Sequence, residues 1–310
     1  MSSSNENDQA HQPVLGLSNN ARRHTQHGIL AGVGTYIAWG LVPIFFKQID
    51  TIPATEVIAH RVLWSMLLMA LILFFTQGFA VVLGVLRQPR QLFRIAIASS
   101  LVASNWLIFV YGINTGRILE TSLGYFILPL FHVALGVMVL GEKLRRWQWL
   151  AVALAVIGVL IETLRVGGLP WISLTLAGTF GLYGLMRKQL TLDSANGLFL
   201  ETACMMPIAL IYLTWVALNG QSHFGASTSV DLLLVATGIV TAIPLLLFAI
   251  AARRLPLSTI GFLQYIAPSI SFLIAVFIYG EPLGIHRALG FAMIWAGLAV
   301  YSADMLRART

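Results

Sequence analysis

Apolar residues run along this chain in long blocks, not in the two-residue alternation of strands or the one-sided stripe of a surface helix. Ten blocks reach the roughly 20 residues that a helix needs to cross a ~30 Å hydrocarbon core. They predict helices at about 28–47, 56–77, 93–113, 118–140, 147–165, 169–187, 197–218, 231–252, 256–279 and 286–305. Stretches 62–86, 95–116, 121–141, 232–252 and 255–280 carry no Asp, Glu, Lys or Arg over their full width. The alternating segments of a membrane β-barrel are absent. Residues 1–27 are polar, rich in Ser, Asn, Gln and His, and lack the apolar centre of a cleavable signal peptide. They predict a disordered tail, with the first span as its own insertion signal and a short second tail at 306–310.

Composition agrees with that pattern. Apolar residues make up 58% of the 310, mean hydropathy is +0.83, and charged residues reach only 10%. A soluble surface draws on roughly 25% charged residues, so a soluble fold is excluded. The single cysteine, Cys204, rules out an internal disulfide and a multi-cysteine metal site. A net charge of +7 raises nucleic acid as a partner, but the positions of the bases remove it. With ten spans both termini share one side. Fourteen of the nineteen Lys and Arg fall there, at Arg22–Arg23, Arg87–Arg94, Lys143–Arg146, Arg187–Lys188, Arg253–Arg254 and Arg307–Arg309. Lys47, Arg117, Arg165 and Arg287 fall opposite, and Arg61 lies within a span. Excess basic residues in short loops mark the cytoplasm, which places both termini inside.

The chain also repeats itself. At an offset of 139, Pro129, Gly141, Glu142 and Gly158 fall on Pro268, Gly280, Glu281 and Gly297, and Phe109 falls on Phe248. At an offset of 144, Gly34-Thr35-Tyr36 and Trp39-Gly40 parallel Gly178-Thr179-Phe180 and Tyr183-Gly184. The halves are thus 28–165 and 169–305, five spans each. An odd number sends the second copy into the membrane from the opposite side. Inverted repeats are a construction of secondary transporters, with the substrate site between halves near mid-membrane.

The ten spans, the duplication and the Gly-Glu after spans four and nine resemble the EamA branch of the drug/metabolite transporter superfamily. The resemblance covers about residues 28–305. The runs Trp39-Gly40-Leu41-Val42-Pro43, Glu56-Val57-Ile58-Ala59-His60-Arg61, Asn105-Trp106-Leu107-Ile108 and Glu120-Thr121-Ser122-Leu123-Gly124-Tyr125-Phe126 are similar to the RarD group, described as chloramphenicol-sensitive. Membership implies an all-α permease of the bacterial inner membrane, built as two inverted five-helix repeats. It favours export of a small metabolite or amphipathic drug over import.

Ionisable groups inside a span cost roughly +2.5 to +3.5 kcal/mol at its centre and are therefore candidates for the substrate pathway. Arg61 with His60, His132 and Glu201 are such groups. Arg61 and Glu201 occupy similar places in their repeats, each about 7 Å deep from opposite faces, and so about 15 Å apart along the membrane normal. That spacing speaks against a direct salt bridge and for one charge in each vestibule. Arg61 then has Glu120 or Glu162 as candidate partners and can attract anionic groups. Glu201 has Arg187 or Arg254. The alternative is that both snorkel to the interface and anchor their helices. His132 is a candidate relay if a proton is the coupling ion.

A polar and aromatic set completes the pathway candidates: Trp39, Asn105, Tyr111, Asn114, Tyr125, Gln264 and Tyr265. An amide as deep as Asn105 must face a partner or a cavity. Tyr125 and Tyr265 stand just before Pro129 and Pro268, and a proline frees a carbonyl one turn earlier. Pro43, Pro207 and Pro244 are further candidate hinges. Against a pathway role, interior Tyr and Asn also simply join helices. The Trp147, Trp149 and Trp171 rings fit span ends, and Lys143, Arg145 and Arg146 fit lipid headgroups. No phosphate loop, H-E-x-x-H, G-x-S-x-G or acidic metal cluster is present, so neither an enzyme nor a bound cofactor is expected. A non-transporting scaffold, and then a channel, are the competing readings.

Overall fold

The structure, a computed structural model, describes residues 13–76, 78–164, 170–280 and 285–307. Twelve α-helices and no β-strand occur among them. They are α1 (Pro13–Phe46), α2 (Ala54–Phe75), α3 (Phe79–Leu86), α4 (Pro89–Asn114), α5 (Ile118–Met138) and α6 (Arg146–Thr163) in the first half. The second half holds α7 (Trp171–Gln189), α8 (Ser194–Leu218), α9 (Thr228–Arg254), α10 (Leu257–Gln264), α11 (Ile266–Phe277) and α12 (Ile285–Arg307). Among the described residues nine spans are long and apolar enough to cross a membrane, with Leu257–Phe277 counted as one.

The tenth crossing element is α7, which is less apolar than the rest. Its 19 residues extend about 28 Å, enough to span, and it lies along α4 and α5. Ser173, Thr175, Thr179 and three glycines dilute its hydropathy. Those residues are tolerable because much of α7 is buried against its neighbours. Buried positions from Ile172 to Arg187 cover most of its circumference, and Trp171, Leu174 and Leu182 form the strip left exposed.

Three details depart from the block pattern. Residues 13–27, expected as tail, continue α1 by several turns, since after Gly16 neither proline nor glycine interrupts the run up to Gly28. The polar turn after α2 is followed by α3, an eight-residue helix about 12 Å long that cannot cross. The ninth span breaks between Gln264 and Tyr265, one turn before Pro268, whose missing N–H leaves the Gln264 carbonyl without its helical donor. Its repeat counterpart, Pro129, lies inside α5 without breaking it.

Successive spans alternate in direction, so the first half, with its five spans, ends on the face opposite the one at which it began. We call the face where α1 begins the N-face and the other the far face. The halves pack with a swap: α1 lies on α9 as α7 lies on α4, while α2 meets α8 and α6 meets α12. Individual contacts follow the same swap. Thr35 Oγ1 donates to the Pro244 carbonyl at 3.3 Å, and at the matching crossing the Asn105 amide donates to Thr179 Oγ1 at 3.0 Å. Ser271 Oγ donates to the Gly40 carbonyl, and its counterpart His132 presses on Gly184. At Gly238 the α2 backbone comes so close that an added Cβ would stand 2.6 Å from the Trp64 carbonyl carbon.

Candidate substrate pathway

The N-face half of the interior is locked by a buried ion pair. Arg187, on α7, reaches Glu201, on α8, at 3.0 Å, and their side chains are only 2% and 1% exposed. Tyr183 Oη donates to the other carboxylate oxygen at 3.0 Å, and Arg187 Nη2 donates to the Ser194 carbonyl at 3.0 Å. Gly197 makes the pair possible, since a Cβ there would meet Arg187 Nη1 at 2.3 Å. Of the two partners considered for Glu201, Arg187 is the one that binds it.

Directly beyond the lock lies an aromatic plug. Tyr183 stacks on Phe248 with centroids 5.9 Å apart, and Phe180 touches both at 5.4 and 5.3 Å. Trp39 closes the group with its ring 5.5 Å from Phe180 and 5.7 Å from Tyr36. His132 borders Phe248 at 6.2 Å and bonds through Nδ1 to Gln264 Oε1 at 2.9 Å. Because that oxygen only accepts, Nδ1 carries the proton, as assigned from the bonding. His132 Nε2 then keeps a buried lone pair without a donor. Trp39 and the bonded pair His132–Gln264, three residues singled out by type, therefore border one ring, Phe248.

The far-face half is arranged differently. Arg61 Nε donates to Thr241 Oγ1 at 2.8 Å, and the guanidinium carbon sits 4.4 Å over the Trp106 ring and 5.4 Å from Phe46. No ion pair to Arg61 forms among the described residues. Glu120, one expected partner, is held by Arg117 at 2.6 Å. Tyr125 lies within electrostatic reach of Arg61 and is 47% exposed. Beside them His60 Nδ1 accepts from Trp64 Nε1 at 3.2 Å, and its ring stacks on Phe224. Glu56 draws the same loop down, accepting from His223 N at 2.9 Å and pairing with His223 Nδ1 at 2.7 Å.

Other candidates lie apart from this line. Asn105 joins α4 to α7, donating also to the Leu176 carbonyl at 2.9 Å. Tyr111 is exposed beside Trp171 at the far end of α4. Tyr265 turns away from Tyr125 and packs with Ala155 and Ile294, its hydroxyl donating to the Phe126 carbonyl. The side chain of Asn114 lies outside the described residues. Pro43 and Pro207 are exposed within α1 and α8, and Pro244 is buried in α9. Arg145, expected at headgroups, bonds Asp304 at 2.6 Å.

Sequence reading missed the plug as a unit, and it missed what the repeated Gly-Glu does. Glu142 caps the start of α10, accepting from Leu257 N at 2.6 Å, Ser258 N at 2.9 Å and Ser258 Oγ at 2.7 Å. Four unpaired N–H groups at a helix start favour such a carboxylate. Its recurrence at a fixed offset was the available signal. Glu281, the second copy, lies outside the described residues.

The profile of the EamA-like transporter family matches residues 26–164 and, a second time, residues 168–303. The chain belongs to this family. Similar relatives of this EamA-like chain include an "Uncharacterized transporter" of Vibrio cholerae, 45% identical over 93% of this chain and 95% of its own. Another is "Protein RarD" of Escherichia coli, 42% identical over 92% and 96%. A solved structure at 19% identity superposes with a TM-score of 0.66, covering 90% of this chain and 96% of its own, and shares the fold. The EamA-like chain is thus a membrane transporter of the drug/metabolite type.

Proposed function

We propose that this transporter works as a secondary carrier by alternating access, exporting a small metabolite or amphipathic drug across the bacterial inner membrane. Both termini lie in the cytoplasm, so the N-face is the cytoplasmic side. One observation carries the reading. Arg61 and Glu201 occupy matching positions in the two repeats, yet Glu201 is sealed by Arg187 and Tyr183 while Arg61 has no acid partner among the described residues. A symmetric scaffold has no need for such a difference. A carrier caught closed on one side and open on the other has that asymmetry in every state.

In this reading the substrate enters beside Glu201 once the lock parts and leaves beside Arg61 and Tyr125. The plug of Trp39, Phe180, Tyr183 and Phe248 separates the two routes. His132 is the relay we propose for a coupling proton, since its Nε2 lies unpartnered beside the plug. Counterflow in proteoliposomes tests the proposal, using labelled amino acids, organic acids and chloramphenicol with and without a proton gradient. Trans-acceleration by one compound is the expected result. Unsaturable leak would replace the carrier with a channel, and silence from folded protein across the panel would favour a scaffold. Unchanged pH dependence in His132→Ala would remove the relay.

A further inference from the structure

Arg61 lies inside a span, and its surroundings leave most of its donors free. A guanidinium carries five N–H donors in a planar fork. Only one is used within the protein, Nε to Thr241 Oγ1 at 2.8 Å. Nη1 and Nη2 donate to nothing among the described residues, and neither is shut away from solvent, since both are missing from the buried unpartnered atoms. Both tips of the fork therefore keep accessible surface. Its direction is held from two sides, by the Thr241 bond and by the Trp106 ring at 4.4 Å.

The charges around it point to an anion. Its own helix, α2, offers Glu56, but both oxygens of that carboxylate are engaged by His223. On α5, Glu120 is taken by Arg117, and α9 presents the neutral Thr241. Holding an arginine inside a membrane span without a counter-ion is costly. The cost is met when the missing partner arrives from outside. A single cation balances a single negative charge, and a planar fork matches a carboxylate with two parallel bonds. A phosphate dianion would call for a second base, and none stands beside Arg61 among the described residues. The Phe46 ring, 5.4 Å from the guanidinium carbon, and the 47% exposed Tyr125 supply rings beside it. Both are suited to stacking against a planar body.

We propose that the far-face half is a binding site for aryl monocarboxylates, with the carboxylate on the Arg61 fork and the ring against Tyr125 and Phe46. This rests on the carrier reading above and adds the substrate class to it. Zwitterions and amines fit less well, because no free carboxylate stands near Arg61 among the described residues to receive an ammonium group.

Four ligands that share a phenyl ring separate the possibilities: phenylacetate, its neutral isostere phenylacetamide, phenethylamine and phenylalanine. Binding to the purified full chain is read by titration calorimetry and by the shift in thermal unfolding. Wild type is expected to bind phenylacetate at least about tenfold more tightly than the other three, the worth of a charge-assisted bond. Arg61→Gln should lose that preference while binding phenylacetamide as before, and Arg61→Lys should keep a part of it. Equal binding of all four, a preference for the amine, or an Arg61→Gln chain that still selects phenylacetate would overturn the site. So would no binding of any carboxylate to wild type that unfolds cooperatively. If Arg61→Gln fails to fold, Tyr125→Ala provides a second reading through weaker binding of phenylacetate than of acetate-sized anions relative to wild type, and no change in that ratio counts against the site. Counterflow with phenylacetate tells the two proposals apart. Selective binding without exchange leaves the anion site standing and removes the carrier, whereas exchange of other compounds with no selective binding does the reverse.

Discussion

Removing one half of the Arg187–Glu201 pair should be the most damaging single change to the fold. At 3.0 Å and an effective dielectric of 20 the Coulomb attraction is about 5.5 kcal/mol. Desolvation of two groups only 2% and 1% exposed offsets most of that gain, so the intact pair is nearly neutral relative to apolar side chains. Glu201→Leu, however, leaves the Arg187 charge buried with only the Ser194 carbonyl as acceptor and also orphans the Tyr183 hydroxyl. The expected loss is about 3–5 kcal/mol, with a similar loss for Arg187→Met. The double variant should recover to within about 1–2 kcal/mol of wild type. Tryptophan fluorescence during titration with a denaturing detergent in mixed micelles measures all four corners of the cycle. Single losses under about 1 kcal/mol, or simple additivity in the double variant, would refute a buried, mutually dependent pair.

Three further outcomes follow from the same geometry. Glu142→Ala should cost about 1–3 kcal/mol in that titration, because it strips three bonds from the start of α10, and Glu142→Gln should fall between. Gly238→Ala should lose about 1–3 kcal/mol by forcing α9 off the Trp64 backbone, whereas Gly178→Ala, with nothing within 4 Å of its Cβ, should be neutral or gain up to about 1 kcal/mol. Asp193 caps α8 through the Ala195 and Asn196 N–H groups. Burial alone would raise its carboxyl, but bonds from the Asn196 side chain and those two N–H groups, with the Arg253 charge, hold it below the ordinary carboxylate value of 3.8. A depressed value means stability that is present above about pH 4 and lost as pH falls through the lowered value. Asp193→Ala should thus cost about 1 kcal/mol at pH 7, with the gap to wild type closing in unfolding scans taken well below pH 4.

The spans were legible because hydrocarbon imposes a length and a composition on any helix that crosses it. That rule has no purchase on α3, which does not cross, and it marks α7 only weakly, since serine, threonine and glycine dilute that helix. Within the pathway the residue types were legible and the meetings were not. Tyr125 and Tyr265 share a repeat position and a following proline, yet one is 47% exposed near Arg61 and the other is packed against Ala155 and Ile294. Pro129 and Pro268 also match, but only the second stands after a broken helix. What separates them is the neighbour each helix meets, and no local stretch of sequence encodes that.

The sequence by itself determined an all-helical membrane chain, its ten crossings and its internal duplication. Each follows from a one-dimensional quantity: the length of an apolar block or the offset at which residues recur. Only the tertiary structure decided that Glu201 is sealed by Arg187 and Tyr183, that Trp39 meets Phe180 and Phe248 in a plug, and that Arg61 keeps its fork open under Trp106. Those outcomes depend on helices far apart in the chain being pressed together at glycines such as Gly184, Gly197 and Gly238. Close approach between distant helices is a property of two surfaces at once, which is why it had to be seen in three dimensions.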